Sequence, residues 1–328
     1  MRNVLNKKYL FICILVSGFM VLCQAGDAGR GGYAGAFLRM GLGARILGMG
    51  GGSVALSNEY SSYYNPAGLV FLKGKYFSST INSMSLDRNF FCLLYAQSFE
   101  NMDEENIRAG FSAGVISAGV SNIDGRDFNG IHTQNYSTSE NCFFFSFALM
   151  PVPFLSLGVS GKVLYYRLPG VAREGGNLSS TGFGLDFGMM VKVRDNLSLG
   201  ISIKDIRAKY SWDTQKVYEK GTQTIDEFPV IFRAGAAYDS LFNRITVTFD
   251  IEKAEFFPAS FYAGFEMQVV KCLTLRSGLL NGHITFGFGT ELSVWNRKMY
   301  FNYGYVSEPA APDNMNIFTW SLCLGEIK

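Results

Sequence analysis

From residue 74 onward, apolar and polar positions alternate with a period of two in one segment after another. In 243–253, Ile245, Val247, Phe249 and Ile251 fall on one face, and Thr246, Thr248, Asp250 and Glu252 on the other. In 282–294, Ile284, Phe286, Phe288 and Leu292 oppose Thr285, Gly287, Gly289, Glu291 and Ser293. In 179–192, Phe183, Leu185, Phe187 and Met189 oppose Gly182, Gly184, Asp186 and Gly188. Alternation of this kind predicts strands with one apolar face and one polar or small face. Breakers between the periodic segments divide the chain into fourteen strands: 74–84, 89–98, 107–120, 139–150, 154–167, 179–192, 196–208, 229–239, 243–253, 258–270, 272–280, 282–294, 298–307 and 316–325. Most have the length needed to cross a bilayer at a tilt.

A two-sided sheet either buries its apolar face in a sandwich or turns it out to lipid around a barrel, and periodicity alone does not separate the two. The connections do. Those at 121–138, 168–178, 209–228 and 308–315 are long and polar, and each follows an odd-numbered strand. Pro151-Val152-Pro153, Arg194-Asp195-Asn196, Lys271 and Asn296-Arg297 are tight, and most tight connections follow an even-numbered strand. Long loops at one end and short turns at the other are the pattern of an outer-membrane barrel. The acidic connection 99–106 is the exception. Tyr165, Tyr166, Tyr238, Tyr262, Trp295, Tyr300, Tyr303 and Tyr305 collect near strand ends, where rings anchor at a membrane interface. The fold class expected is therefore all-β: a 14-stranded antiparallel transmembrane β-barrel.

Composition agrees and removes other classes. Of 328 residues, 48% are hydrophobic and only 17% charged, with 37 glycines, which is too apolar for disorder. Only one long apolar run exists, at the N-terminus, so a bundle of membrane helices is excluded. A net charge of +2 without a Lys/Arg cluster leaves no nucleic-acid footprint. Arg2, Lys7 and Lys8 precede the apolar stretch Tyr9–Cys23, and Cys23-Gln24-Ala25 supplies small residues for cleavage, so residues 1–25 read as a secretory signal peptide. Cys92, Cys142, Cys272 and Cys323 are scattered over strand-like segments and form no disulfide framework.

Between the signal and the barrel, residues 26–73 are Gly-rich and do not alternate. They are expected to form a compact hatch in the lumen, with residues 74–328 as the barrel. Asn65-Pro66 marks a tight turn, and Gly68 is expected to use a positive φ. Period-two counting turns Lys162, Asp186, Arg233, Asp250, Glu252, Glu266, Arg276 and Glu291 inward. In an open porin such charges set selectivity. In a plugged barrel they pair with the hatch, for instance with Arg39 or Arg45.

Catalytic chemistry finds little support. Gly110-Phe111-Ser112-Ala113-Gly114 matches a nucleophile elbow, but strand-like residues run through it to Val120 where the elbow needs a turn and a helix. The only histidines, His132 and His283, fall in or beside external connections. No phosphate-binding glycine motif and no His/Cys cluster is present, so neither a cofactor nor a metal is expected. Asp124, Asp127 and Asn129 lack the spacing of a calcium loop and read as a solvated connection.

Leu42-Gly43-Ala44-Arg45, Gly48-Met49-Gly50-Gly51 and Asn65-Pro66-Ala67-Gly68 together resemble the start of the PorV/PorQ family of outer-membrane barrels and, more distantly, of FadL-type fatty-acid channels. Thr181–Gly188, Asn196–Gly200 and Phe232–Tyr238 fit the same resemblance. It implies a non-enzymatic fourteen-stranded barrel in the outer-membrane lipid, with a hatch marked by Gly43, Arg45, Gly48, Gly50, Asn65, Pro66, Ala67 and Gly68. It also implies one of two roles. A type IX secretion component would hold exported cargo or secretion-system proteins at loops 121–138 and 209–228, the latter carrying Tyr210, Trp212 and Tyr218. A FadL-like passive transporter would instead pass small hydrophobic molecules through a pocket between hatch and wall.

Overall fold

The computed structural model describes residues 33–100, 108–172, 175–217, 220–240, 244–294, 297–307 and 314–324. The signal peptide read at 1–25 lies outside these, as do residues 26–32, Tyr218, Trp295 and most of the 99–106 connection. The strands are β1 (Lys75–Ser83), β2 (Arg88–Glu100), β3 (Arg108–Arg126), β4 (His132–Val152), β5 (Leu155–Leu168), β6 (Leu178–Arg194), β7 (Leu197–Ile206), β8 (Lys209–Asp213), β9 (Gln223–Glu227), β10 (Ile231–Ser240), β11 (Ile245–Ala254), β12 (Ser260–Val270), β13 (Leu273–Leu280), β14 (His283–Val294), β15 (Arg297–Val306) and β16 (Met315–Cys323). Fourteen of them close into an antiparallel barrel in which β1 pairs with β16 and β7 with β10. β8 and β9 pair only with each other, as a hairpin between β7 and β10. Closure leaves the barrel without an unpaired sheet edge.

The faces are those of a barrel in lipid. Val247, Phe249, Phe183, Phe187, Phe286 and Phe288 are exposed, whereas Thr246, Thr248, Asp250, Asp186 and Thr285 are buried. Pairing keeps the faces in register: Phe249 stands between Ala236 and Ala263, and Asp250 between Gly235 and Tyr262. In a sandwich the phenylalanines would be inside. Asn281 and Gly282, with φ of 47° and 89°, close the β13–β14 hairpin in the left-handed geometry that a two-residue turn requires.

Two expected connections are ordered differently. Much of 121–138 is strand: β3 and β4 continue as a hairpin beyond the wall, with register shifts at Val120/Ile123 and Gly125/Arg126. Its tip is tied locally, because Asp127 Oδ1 accepts the N–H of Asn129 and of Ile131, each at 2.9 Å. Segment 209–228 carries the β8–β9 hairpin, and Tyr210 and Trp212 turn inward rather than outward. They share one face of β8 and pack on Tyr166 and Phe228, with ring centroids 5.1 Å apart for Trp212–Tyr166 and for Tyr210–Phe228. Rings of this size gain more from burial than from a solvated loop. For the same reason Tyr166 belongs to the lumen cluster, and Tyr262 lies under the Arg233 guanidinium, rather than at the membrane interface.

Residues 33–72 contain four short helical pieces, Ala36–Arg39, Ala44–Gly48, Ser61–Tyr64 and Pro66–Phe71. They pack against the inner face of the wall. Leu38, Leu42, Ile46, Met49, Tyr60 and Leu69 share one buried cluster with Phe90, Leu94, Ile116 and Leu164 of the strands.

Candidate functional site: the lumen and the segment packed against its wall

Wall glycines create the seats for this inner segment. A Cβ on Gly188 would lie 2.1 Å from Asn65 Oδ1, and one on Gly200 would lie 2.1 Å from the Val54 carbonyl oxygen. On Gly158 it would meet the Ala67 nitrogen at 2.4 Å, and on Gly278 the Gly50 nitrogen at 2.4 Å. Three of these four obstacles are backbone atoms, which cannot swing aside as a side-chain tip can. The Gly-x-Ser-x-Gly run belongs to this system: a Cβ on Gly110 would lie 2.6 Å from Leu69, and Ser112 is buried 3.3 Å from the Ser62 hydroxyl. β3 passes straight through it, so no nucleophile elbow forms.

Polar groups then fix the register of the segment. Ala44 N–H donates to Thr319 Oγ1 at 2.9 Å, and Gly50 N–H to Thr285 Oγ1 at 2.9 Å. Thr285 Oγ1 donates in turn to the Gly48 carbonyl at 3.1 Å. Asp250 Oδ2 accepts from Ser53 N–H at 2.7 Å and Val54 N–H at 3.0 Å. Asn65 Nδ2 donates to the Val54 and Met189 carbonyls at 2.6 and 3.0 Å, while its Oδ1 accepts from Ala67 N–H at 3.1 Å. That last bond caps the 3-10 helix Pro66–Phe71, whose first position suits the fixed φ of Pro66. Gly68 lies inside this helix and is not left-handed, contrary to expectation. Its missing side chain matters for space, since a Cβ would lie 2.7 Å from Ser61 Oγ and 3.0 Å from the Leu56 carbonyl oxygen. Gly43 does need its freedom: its φ is 84°, and a Cβ would stand 2.7 Å from the Tyr60 ring. The Tyr63 hydroxyl donates to the Leu38 carbonyl at 2.6 Å and the Tyr64 hydroxyl to that of Leu42 at 2.9 Å. Burial pushes both phenols up, so they stay donors.

The eight charges expected inside sort into pairs. Arg45 of the inner segment grips Glu266 of β12 through two bonds of 2.9 and 2.7 Å, and Arg276 holds the same carboxylate at 2.6 Å. Arg233 bonds Asp250 at 2.9 Å and Glu252 at 3.4 Å, and also donates to the Gly51 carbonyl. Lys162 sits between Asp186 at 2.8 Å and Asp205 at 2.6 Å, a pairing within the wall. Glu291 pairs with Lys298 at 2.7 Å. Arg39 donates to the Ala34 carbonyl at 2.9 Å, and its guanidinium lies over the Phe257 ring. Period-two counting misses Asp205. Its φ of 60° breaks the alternation at the end of β7, so Lys204 and Asp205 both turn inward. The available signal was that Asp, unlike most residues, tolerates the left-handed region. Lys204 then rests its ammonium 3.9 Å from the centre of the Tyr63 ring.

Three cavities lie between the inner segment and the wall or its long connections. The outer one, about 710 Å³, lies by the long connections and is bounded by Tyr33, Glu140, Tyr166, Tyr210 and Ile225–Glu227. The smallest, about 60 Å³, lies between Leu38, Met40, Leu47 and Tyr63 of the segment and Lys204, Ile231, Tyr262 and Leu280 at the same ends of their strands. The inner one, about 300 Å³, lies near the short turns, between Arg45 and Glu59 of the segment and strands β11–β15 and β1. A cavity of ~150 Å³ admits benzene. The smallest cavity is below that size, so it holds no ring unless the segment or the Lys204 side chain shifts.

Residues 155–323, just over half of the chain, match a family of unknown function (DUF5723). The chain belongs to that family. No curated protein matches it in sequence. Among solved structures, this member of the family is similar to the toluene transporter TbuX of Ralstonia pickettii, with a TM-score of 0.62 at 13% identity over 86% of this chain and 97% of that one. It is also similar to a Pseudomonas aeruginosa FadL homologue, with a TM-score of 0.58 at 10% identity over 85% and 97% of the two chains. A third is a TodX monoaromatic hydrocarbon channel mutant, deltaS2S3, with a TM-score of 0.57 at 16% identity over 86% and 97%. At such identities the likeness is one of fold, a closed antiparallel barrel of fourteen strands.

Proposed function

We propose that this protein is a passive, non-enzymatic channel for small hydrophobic molecules across the outer membrane, with residues 33–72 as its hatch. The observation that carries the reading is the set of cavities between segment, wall and long connections, the smallest about 60 Å³, in a barrel of FadL type. A hydrophobic solute among Tyr33, Tyr166 and Tyr210 meets aromatic surface beside Glu140, Asp226 and Glu227, and the smallest cavity offers Leu38, Met40, Leu47, Ile231 and Leu280 beside Lys204, Arg233 and Glu252. The motif residues Gly43, Arg45, Gly48, Gly50, Asn65, Pro66, Ala67 and Gly68 seat and cap the hatch rather than touch solute. Glu266, Asp250 and Arg233 are its anchors on the wall. The neighbouring toluene transporter and monoaromatic hydrocarbon channel support this reading over the PorV-like secretion role, which draws nothing from those likenesses. The inward turn of Tyr210 and Trp212 also withdraws two of the three rings that suggested a protein-docking loop, the third, Tyr218, lying outside the described residues.

The test is uptake of labelled toluene by outer-membrane-bearing cells with and without the protein. Expression should raise the initial rate several-fold and leave uptake of a hydrophilic sugar unchanged. Equal toluene uptake, with the barrel folded by heat-modifiable gel mobility, overturns the channel reading.

A further inference from the structure

The inner cavity is lined differently from the other two. Arg45, Arg244, Lys271 and Arg276 face it with three carboxylates, Glu59, Glu266 and Glu291. Of these, Glu291 is already bound by Lys298, and Glu266 is shared by two guanidinium groups. Glu59 accepts from Ser321 Oγ at 2.9 Å. Positive charge is therefore in excess around a space of about 300 Å³.

Within that excess, one donor is left over. The Arg276 side chain is only 5% exposed, and it spends its Nε on Glu266, yet its Nη1 has no hydrogen-bond partner. A buried, unpartnered guanidinium N–H is costly unless something accepts it. Gly289 puts no side chain against that edge, where Asn302 Oδ1 is the nearest neighbouring atom. Both terminal nitrogens of Arg276 lie 2.7 Å from where a Gly289 Cβ would stand, and Gly289 itself lines the cavity. A guanidinium presenting free N–H groups suits the oxygens of a carboxylate or phosphate.

We propose that the inner cavity is a binding site for a small anion carrying a carboxylate or phosphate group, with the free edge of Arg276 as its central donor and Arg45, Arg244 and Lys271 supplying the field. Its binding of an anion does not depend on the passage of hydrophobic solutes.

Isothermal titration of the folded, detergent-solubilised protein with inorganic phosphate, and separately with acetate, at fixed sodium chloride, tests it. Saturable binding of at least one of the two is expected, and which one binds tells the phosphate source from the carboxylate source. Arg276→Gln should weaken binding at least tenfold. Gly289→Ala should also weaken it, because the added methyl fills the space before the guanidinium while the charge remains. Lys220→Gln removes the same charge from an exposed position near the opposite end and should bind as the parent does. If Arg276→Gln does not fold, judged by heat-modifiable mobility, Gly289→Ala decides alone. Absence of saturable heat with both anions overturns the proposal. So does a Lys220→Gln loss equal to that of Arg276→Gln, or unchanged affinity in Gly289→Ala.

Discussion

Phe249 and Asp250 are neighbours on β11 and answer to different surroundings. Phe249 is 48% exposed on the outer face, beside Ala236 and Ala263. Asp250 is fully buried on the inner face and holds Arg233 and two backbone N–H groups of the inner segment. The outer face meets a medium that accepts any apolar side chain of reasonable size. The inner face meets one particular backbone, and there each residue type has a specific partner. Exchange of residues should therefore be tolerated outside and punished inside.

The largest test is at Asp250. Asp250→Ala leaves Arg233 buried without its closest carboxylate and frees Ser53 and Val54, and should cost about 3–5 kcal/mol in urea unfolding of the vesicle-inserted barrel. Phe249→Leu should cost less than about 1.5 kcal/mol in the same measurement, because it keeps the chemistry the medium selects. Equal losses would mean that the inner face is as permissive as the outer. A charge separates the faces in the other direction. Phe249→Arg should cost about 2–4 kcal/mol if the residue sits near the bilayer midplane, and the loss should shrink when the protein is moved from vesicles to a detergent micelle.

These contrasts also explain what could be read in advance. All fourteen barrel strands were legible, because a lipid face forces an apolar residue at every second position, as in Ile245, Val247, Phe249 and Ile251. The same count turned Lys162, Asp186, Arg233, Asp250, Glu266 and Arg276 inward, where all six are buried. Their partners were not legible. Which carboxylate Arg45 meets depends on how a non-periodic segment lies across several strands, and no local pattern encodes that. Asp205 escaped because a single left-handed residue shifts the face of everything after it. The β8–β9 hairpin looks like an external loop in sequence because its aromatic face is only five residues long and is buried by the neighbouring Tyr166 and Phe228, not by its own periodicity.

Glycine gives a finer comparison, since the side chain is the same on both faces. Gly200→Ala places a methyl into the Val54 carbonyl and should cost about 1–3 kcal/mol, with faster proteolysis of residues 33–72 as a second readout. Gly161 faces outward, paired with Phe145, and a Cβ there meets nothing within 4 Å. Gly161→Ala should be neutral or stabilise by up to about 1 kcal/mol, because alanine loses less backbone freedom on folding. If both substitutions destabilise equally, the wall glycines serve strand geometry and not the seating of the segment.

The smallest expected effect separates lipid from water. Phe128 is 98% exposed at the tip of the β3–β4 hairpin, beyond the register shift at Gly125/Arg126. It is as apolar as Phe183 on the outer wall, which is 54% exposed. If exposure of a phenylalanine were enough to mark the lipid face, the two would respond alike to a polar replacement. They should not, because the tip is held by Asp127 bonds to Asn129 and Ile131 that do not involve the Phe128 ring. Phe128→Ser should change stability by no more than about 0.5 kcal/mol in vesicles and in micelles. Phe183→Ser gives up contact with hydrocarbon and should lose stability in vesicles by roughly the transfer free energy of an exposed part of a ring, about 1–2 kcal/mol. A loss at Phe128 that appears only in vesicles would place the hairpin tip against lipid, and would move the boundary between the two surroundings outward along β3 and β4.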